Sequence, residues 1–220
     1  MMGKEIDLLR DYPKSKRDIT KRLVEKDENI RTIARQFGKE FFDGERKYGY
    51  GGFNYNPKYW QPVIPTLKKN YNLNQNSKIL DIGCAKGFLL VDLIKAIPGI
   101  SVTGIDISQY AIKNCHPDIS QSVSVGDARS LPYEDSSFDL VLSINTLHNL
   151  EINELSKSLK EIERVSLKNS FITVDAYRNT KEKTNMESWN LTAKTMLHVD
   201  EWKKLFESSG YKGDYYWFIP

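Results

Sequence analysis

The stretch Ile79-Leu80-Asp81-Ile82-Gly83-Cys84-Ala85-Lys86-Gly87-Phe88 reads as an apolar strand, a glycine-bearing turn and the start of a helix, a nucleotide-binding arrangement. Gly83 allows a sharp turn, and Gly87 lets the next helix approach the sheet closely. Alone, this pattern is weak. Two further acids at regular intervals strengthen it. Asp106 ends a second apolar run 25 residues after Asp81, and Asp127, in Gly126-Asp127-Ala128, ends a third 21 residues later. In an open parallel sheet these strand ends line one crevice, at the edge where ligands bind. Carboxylates at all three ends suit a ligand carrying an amine, ribose hydroxyls and an exocyclic amino donor, and would repel a pyrophosphate. A dinucleotide dehydrogenase fails on spacing. Aligning Gly83 with the first glycine of G-x-G-x-x-G puts Phe88 where the third must permit close helix packing.

Outward from this stretch, short apolar runs alternate with helical periods. Lys78 to Ile82, Ser101 to Asp106, Val123 to Gly126, Phe138 to Ile144 and Phe171 to Ala176 are predicted strands. Phe88 to Ile97, Ala111 to Asn114 and Ile152 to Val165 are predicted helices, with Ser108 as N-cap of the second. Such alternation implies right-handed crossovers and a largely parallel sheet. Near the C-terminus, Trp202, Leu205 and Phe206 share one helical face, Gly210 supplies a stop, and Lys212 to Ile219 reads as a strand. Residues 1–76 read as a polar, helical cap with a short helix near Val63 to Asn70, and residues 77–220 as the α/β domain.

Composition bounds the function. The 220 residues carry 32 Lys and Arg against 29 Asp and Glu, a net charge of +3. That surplus is too mild to make nucleic acid or an anionic membrane an obligatory partner. Lys14, Lys16, Arg17, Lys21 and Arg22 crowd the N-terminal segment, as a solvated helix face or a docking surface. Cys84 and Cys115 lack metal-ligand spacing, and with only His116, His148 and His198 no zinc constellation can be assembled, so no metal is expected. No signal peptide or membrane-length apolar run is read, and a cytoplasmic protein with reduced thiols is expected.

These residues resemble the class I S-adenosylmethionine-dependent methyltransferases. Asp81-Ile-Gly83-Cys84-Ala85-Lys-Gly87 is similar to that family's first motif, whose glycine-rich loop passes the methionine portion of the cofactor. Leu131-Pro132-Tyr133-Glu134-Asp135-Ser136-Ser137-Phe138-Asp139-Leu140-Val141 is similar to its approach to the fourth strand. The resemblance covers about Ser77 to Ala176 and implies a Rossmann-like three-layer α/β sandwich, with S-adenosyl-L-methionine as cofactor. It implies that Asp106, with Ile107 beside it, takes the ribose hydroxyls. Gly126, Asp127 and Ala128 would read the adenine edge, and Asn145 would close the site after the fourth strand. The family often has glycine where Ala85 sits, which is tolerable if that backbone keeps a negative φ. It also usually adds a seventh strand, so the last strand here is expected to be displaced or absent.

Methyl transfer requires an acceptor lone pair in line behind the methyl carbon and a site closed to water. Ser143-Ile144-Asn145-Thr146-Leu147-His148-Asn149-Leu150 contains no Asn/Asp-Pro-Pro-aromatic sequence, and no cysteine nucleophile for cytosine follows the strand. That favours oxygen or nitrogen on a small metabolite, including sugar-like or phosphorylated ones. His148 is the leading candidate base, or a packing histidine; His198 is the second, or a solvated one. Tyr48 and Tyr50, set among glycines, form either a lid over cofactor and acceptor, with Tyr48 a further catalytic candidate, or a packed turn. Arg178 can hold an acidic substrate group, and Asn149 joins Tyr50 and Arg178 as a substrate-binding candidate. The expected partner is a small-molecule acceptor, with no membrane, and the expected state a monomer or homodimer. An RNA methyltransferase and a non-catalytic cofactor-binding module are the alternatives.

Overall fold

The computed structural model describes residues 3–14, 19, 27–51 and 53–220. Lys16, Arg17, Lys21 and Arg22 of the basic segment, and Gly52 of the glycine-aromatic stretch, lie outside the described residues. The N-terminal part holds α1 (Glu28–Ala34), α2 (Lys39–Asp43), α3 (Pro57–Trp60) and α4 (Ile64–Tyr71). Then come β1 (Lys78–Ile82), α5 (Phe88–Ala96), β2 (Ser101–Asp106), α6 (Gln109–Lys113), β3 (Val123–Val125) and β4 (Phe138–Ile144). The chain continues through α7 (Ile152–Val165), β5 (Ser166–Tyr177), α8 (Thr180–Trp189), β6 (Leu197–His198), α9 (Val199–Ser209) and β7 (Asp214–Phe218).

The seven strands form one α/β sheet in the order β3-β2-β1-β4-β5, with β6 and β7 both against β5. Every pairing between these strands is parallel. Progression runs outward from β1 in both directions, so β1 and β4 flank a topological switch point, and the crevice lies beyond their carboxyl ends. Neighbouring residues of β1 feed opposite faces, as the period of two requires. Leu80 and Ile82 pack with Leu155, Leu159 and Ile162 of α7 and with Trp202 and Phe206 of α9. Ile79 packs with Leu90 and Leu93 of α5 and with Leu8, Ile64 and Leu67 from the N-terminal part. The N-terminal segment thus shares the sheet's own core.

Local chemistry sets the element ends. Ser108 Oγ accepts the Ala111 N–H at 3.0 Å and starts α6 as an N-cap. Gly210, at φ +75°, ends α9 in the left-handed region. β5 begins at Ser166 rather than Phe171, because polar residues with an exposed Leu167 continue the ladder without an apolar signal. α8 and β6 were not legible; β6 is two residues long, and α8 buries only Met186 and Ser188. A seventh strand is present, and it runs parallel to β5. The outer edge of β7 is met by the N-terminal segment: Ile6 N–H donates to Tyr215 O and Tyr215 N–H to Lys4 O, each at 3.0 Å. Among the described residues no helix is long and apolar enough to cross a membrane.

Candidate functional site

The loop after β1 is built from backbone constraints. Gly83, at φ +80°, turns the chain so that its N–H and that of Cys84 both donate to Ile105 O, at 2.7 and 3.1 Å. A Cβ at Gly83 would run into the Thr146 side chain. Ala85 lies at φ +51°, in the left-handed region, contrary to the negative φ expected for a non-glycine residue there. Its N–H donates to Asp106 Oδ2 at 2.8 Å, a bond that holds the strained turn in place. Gly87, at φ +75°, then opens α5.

Beyond this loop lies a cavity of about 480 Å³. Gly83, Ala85, Asp106, Ile107, Gly126, Asp127, Ala128 and Asn145 line it. Asp81, Cys84 and Gly87 are not among its lining residues. Asp81 is buried at the end of β1, where burial and the Asp106 carboxylate push its pKa up to about 7. Cys84 is buried too, and burial raises its thiol pKa, reinforced by Asp81 and Asp106. Gly87 packs against Ile119. Asp106 accepts a second backbone N–H, from Ser108 at 2.8 Å; burial still raises its pKa against these two bonds.

Asp127 is held by Arg129, whose Nε lies 2.9 Å from Oδ1 and whose terminal nitrogen lies 2.6 Å from Oδ2. These bonds keep its carboxyl below the usual carboxylate range. Arg129 also reaches Glu154, so an acid-base-acid row forms one wall. Sequence reasoning did not find this row, although Arg129 directly follows the Gly126-Asp127-Ala128 motif. The cap supplies the rest of the enclosure with Arg35, Phe37, Phe41 and Phe42. That aromatic cluster was the available signal for a cap facing a ligand. The cap is fixed from below: Lys86 Nζ meets Asp43 Oδ1 at 2.5 Å and Phe53 O at 2.9 Å, and the Tyr110 hydroxyl donates to Asp43 Oδ2 at 2.7 Å.

The acceptor-side residues fall in several places. His148 does not line the cavity. It is buried, its Nδ1 accepts the Asp175 N–H at 2.9 Å, and burial lowers its pKa to about 3. His198 caps α9: its Nδ1 accepts the Asp200 N–H at 3.2 Å while Nε2–H donates to Arg178 O at 3.0 Å. Tyr48 ends a short 3-10 turn beneath the Lys47 ammonium and lines neither this cavity nor the next. The Tyr50 hydroxyl accepts the N–H groups of Leu191 and Thr192 at 2.7 and 3.3 Å, and its ring stacks on Trp189. Tyr50 thereby ties the cap to the loop before β6. Asn149 lines the first cavity. Arg178 lines a second, of about 450 Å³, which shares Ile144 and Asn145 with the first.

Several observations bear on whether an adenine nucleoside with a sulfonium fits the first cavity. Ile107 is 55% exposed at its edge, an apolar surface that a flat base would cover. Among the described residues Arg35 Nε and Asn149 Oδ1 are buried without a hydrogen-bond partner, one donor and one acceptor in the wall. Asp106 retains lone pairs for ribose hydroxyls, since each of its oxygens accepts only one backbone N–H. The donor set fits the nucleoside. Among the described residues no group of His, Cys, Asp and Glu is arranged to hold a metal ion.

Comparisons with known proteins agree with this geometry. A family model described as "Methyltransferase domain" matches residues 73–210. A tRNA (carboxymethyluridine(34)-5-O)-methyltransferase of Arabidopsis thaliana is 35% identical over 146 residues, 65% of this chain and 33% of that protein. Norajmaline N-methyltransferase of Rauvolfia serpentina is 33% identical over 127 residues, 54% of this chain and 42% of that protein. The chain therefore spans less than half the length of either curated relative. A crystal structure of a SAM-dependent methyltransferase from Methanosarcina mazei is similar with a TM-score of 0.52 at 25% identity, covering 65% of this chain and 82% of that one.

Proposed function

Since the chain belongs to the methyltransferase-domain family, we propose that it is an S-adenosylmethionine-dependent enzyme that methylates an oxygen or nitrogen of a small metabolite. When bound, the cofactor supplies an electrophilic methyl carbon on its sulfonium. One observation carries the small-metabolite reading: the cavity at the ends of β1, β2 and β4 shares the wall residues Ile144 and Asn145 with a second cavity of about 450 Å³. In this reading Asp106 holds the ribose, with Ile107 and Asn149 beside the base. Phe37, Phe41 and Phe42 keep water out, which strengthens every polar contact inside. His148 is a positioning group for the end of β5 rather than a base, because it lines neither cavity and its Nδ1 lone pair is taken by the Asp175 N–H, which leaves Nε2 as the protonated nitrogen. A cytoplasmic setting fits the two free cysteines, Cys84 and Cys115.

The test is a methylation screen with labelled cofactor on a deproteinised, RNA-free metabolite extract. Label is expected in a small-molecule product, with S-adenosylhomocysteine released. Label transferred only when RNA is added would overturn the small-metabolite reading. An RNA acceptor is the second reading, and the name of the Arabidopsis relative supports it. RNA binding of that kind would fall steeply with salt.

A further inference from the structure

We propose that the second cavity is the acceptor site and that it takes a phenol, laid against the rings of Tyr12 and Trp60 from the N-terminal part and of Tyr216 and Phe218 from β7. The inference rests on the methyltransferase reading and narrows its acceptor to an aromatic ring and its acceptor atom to oxygen.

The walls select the ring. Tyr12 meets Trp60 edge-on, with centroids 4.9 Å apart at 66°, and stacks on Tyr59 at 5.6 Å and 30°. This aromatic wall exists before any ligand arrives, so binding a flat ring costs little reordering. Leu9, Pro13, Ile144 and Ile219 continue the lining with apolar surface. A flat ring gains ring-to-ring contact with Tyr12, Trp60, Tyr216 and Phe218 that a sugar or a phosphate lacks, while Asp7, Lys14, Thr173 and Arg178 give the same cavity a polar side. Burial, reinforced by the nearby Tyr59, raises the Tyr12 pKa to about 12, so its hydroxyl keeps its proton near neutrality.

The junction of the two cavities selects the atom. Asn145, at φ +54°, is gripped by Thr173: the Thr173 hydroxyl donates to Asn145 Oδ1 at 2.9 Å, and the Asn145 N–H reaches Thr173 O and Oγ1 at 3.0 Å. This grip uses the amide oxygen and leaves the amide NH₂ without a protein partner among the described residues, at the place where both cavities share a wall. An N–H donor there can engage one lone pair of an oxygen and leave the other for reaction. A primary aromatic amine has one lone pair, which the same bond would occupy. The phenolic oxygen forms the new O–C bond as the S–C bond breaks, the electron pair stays on sulfur, and the phenolic proton passes to solvent. Arg178 also lines the cavity, and its ion pairs with Glu5 and Glu182 are long, at 3.9 and 4.0 Å, so a carboxylate on the ring has a cation within the walls.

The experiment uses the full chain and three readouts in order. Calorimetry with S-adenosylhomocysteine comes first, and absence of binding there defeats the methyltransferase reading itself. With that binding in place, 4-hydroxybenzoate and catechol are titrated against tryptophan fluorescence. Quenching is expected, and Trp60→Phe should reduce it, with Trp217 in the same wall carrying the remainder. Methyl transfer is then measured by mass spectrometry against 4-hydroxycyclohexanecarboxylate and glucose 6-phosphate. The aromatic probe should be preferred by about tenfold or more in kcat/KM, and Tyr12→Ala should cost about tenfold while the cofactor Kd stays the same. Cofactor binding with neither quenching nor transfer to the phenols, or equal transfer to the saturated ring or the sugar phosphate, would overturn the phenol assignment and leave the methyltransferase reading standing.

Discussion

Asp106 Oδ2 accepts the Ala85 N–H at 2.8 Å, so the end of β2 supports the strained turn that follows β1. Asp106→Asn is expected to weaken S-adenosylhomocysteine binding by about 1–3 kcal/mol, the usual loss when a hydrogen bond to a charged group goes. Asp106→Ala should also cost about 2 kcal/mol of stability, because the Ala85 and Ser108 N–H groups lose their acceptor. Unchanged affinity in calorimetry would remove Asp106 from the ribose site.

Ala85 offers a test in the opposite direction. A left-handed backbone costs a non-glycine residue about 1–2 kcal/mol, while glycine returns about 0.5–1 kcal/mol to the unfolded chain. Ala85→Gly is therefore expected to be neutral or stabilising by up to about 1 kcal/mol, a rise in Tm of about 2–4 °C at most. Gly83→Ala should do the reverse, since its new Cβ meets Thr146 and its φ is +80°. Thermal melts of the two variants should diverge in sign or in size.

Buried His148 makes stability fall with acid. Its folded pKa, about 3, lies below the ordinary value of 6.5, so between these values the unfolded chain binds the extra proton. The contribution is complete above pH 6.5 and is lost as pH falls, by about 1.4 kcal/mol per unit. His148→Gln lacks that slope, so its stability deficit should shrink by about 2 kcal/mol between pH 7 and pH 5. Denaturant titrations at both values check this. A catalytic pKa near 6.5 in wild-type kcat/KM that disappears in the variant would contradict the positioning role.

Asp81 runs the other way. Its folded pKa, raised to about 7 by burial and Asp106, makes the native state hold a proton that the unfolded chain gives up near 3.8. Stability therefore declines as pH rises through that window, with a full penalty on the order of 4 kcal/mol above pH 7. Asp81→Asn should flatten the decline, so its stability relative to wild type grows from pH 4 to pH 8.

The Lys86 contacts with Asp43 and Phe53 hold the cap over the first cavity. Lys86→Met should release residues 27–53 to limited proteolysis at lower protease concentration than wild type, with a smaller change in the global melt. Equal cleavage would mean the aromatic packing of the cap suffices without the lysine.

What the sequence could carry depended on periodicity. β1, β2, β4 and α7 were legible to the residue because their apolar spacing matches their geometry, and Ser108 and Gly210 because their chemistry is local. The start of β5 was hidden by polar residues, and β6 by its length. For the site, glycines and strand-end acids marked the first cavity because backbone shape demands them. Burial hid the rest. Nothing in Leu147-His148-Asn149 says that His148 faces the core while Asn149 lines the cavity. Nor does spacing show that Tyr12 and Phe218 line one cavity, since that pairing exists only after the sheet is complete.

A sheet whose strand pairs are all parallel contains no hairpin, so no two neighbouring strands can zip together locally as the chain emerges. Each pairing waits for a crossover, and the final one waits for Asp214–Phe218. Lys4 and Asp214, 210 positions apart, then meet through the Lys4 N–H and Asp214 Oδ1 at 2.8 Å. Such high contact order makes for slow folding, and Lys4 finds its place only once Asp214–Phe218 has joined the sheet.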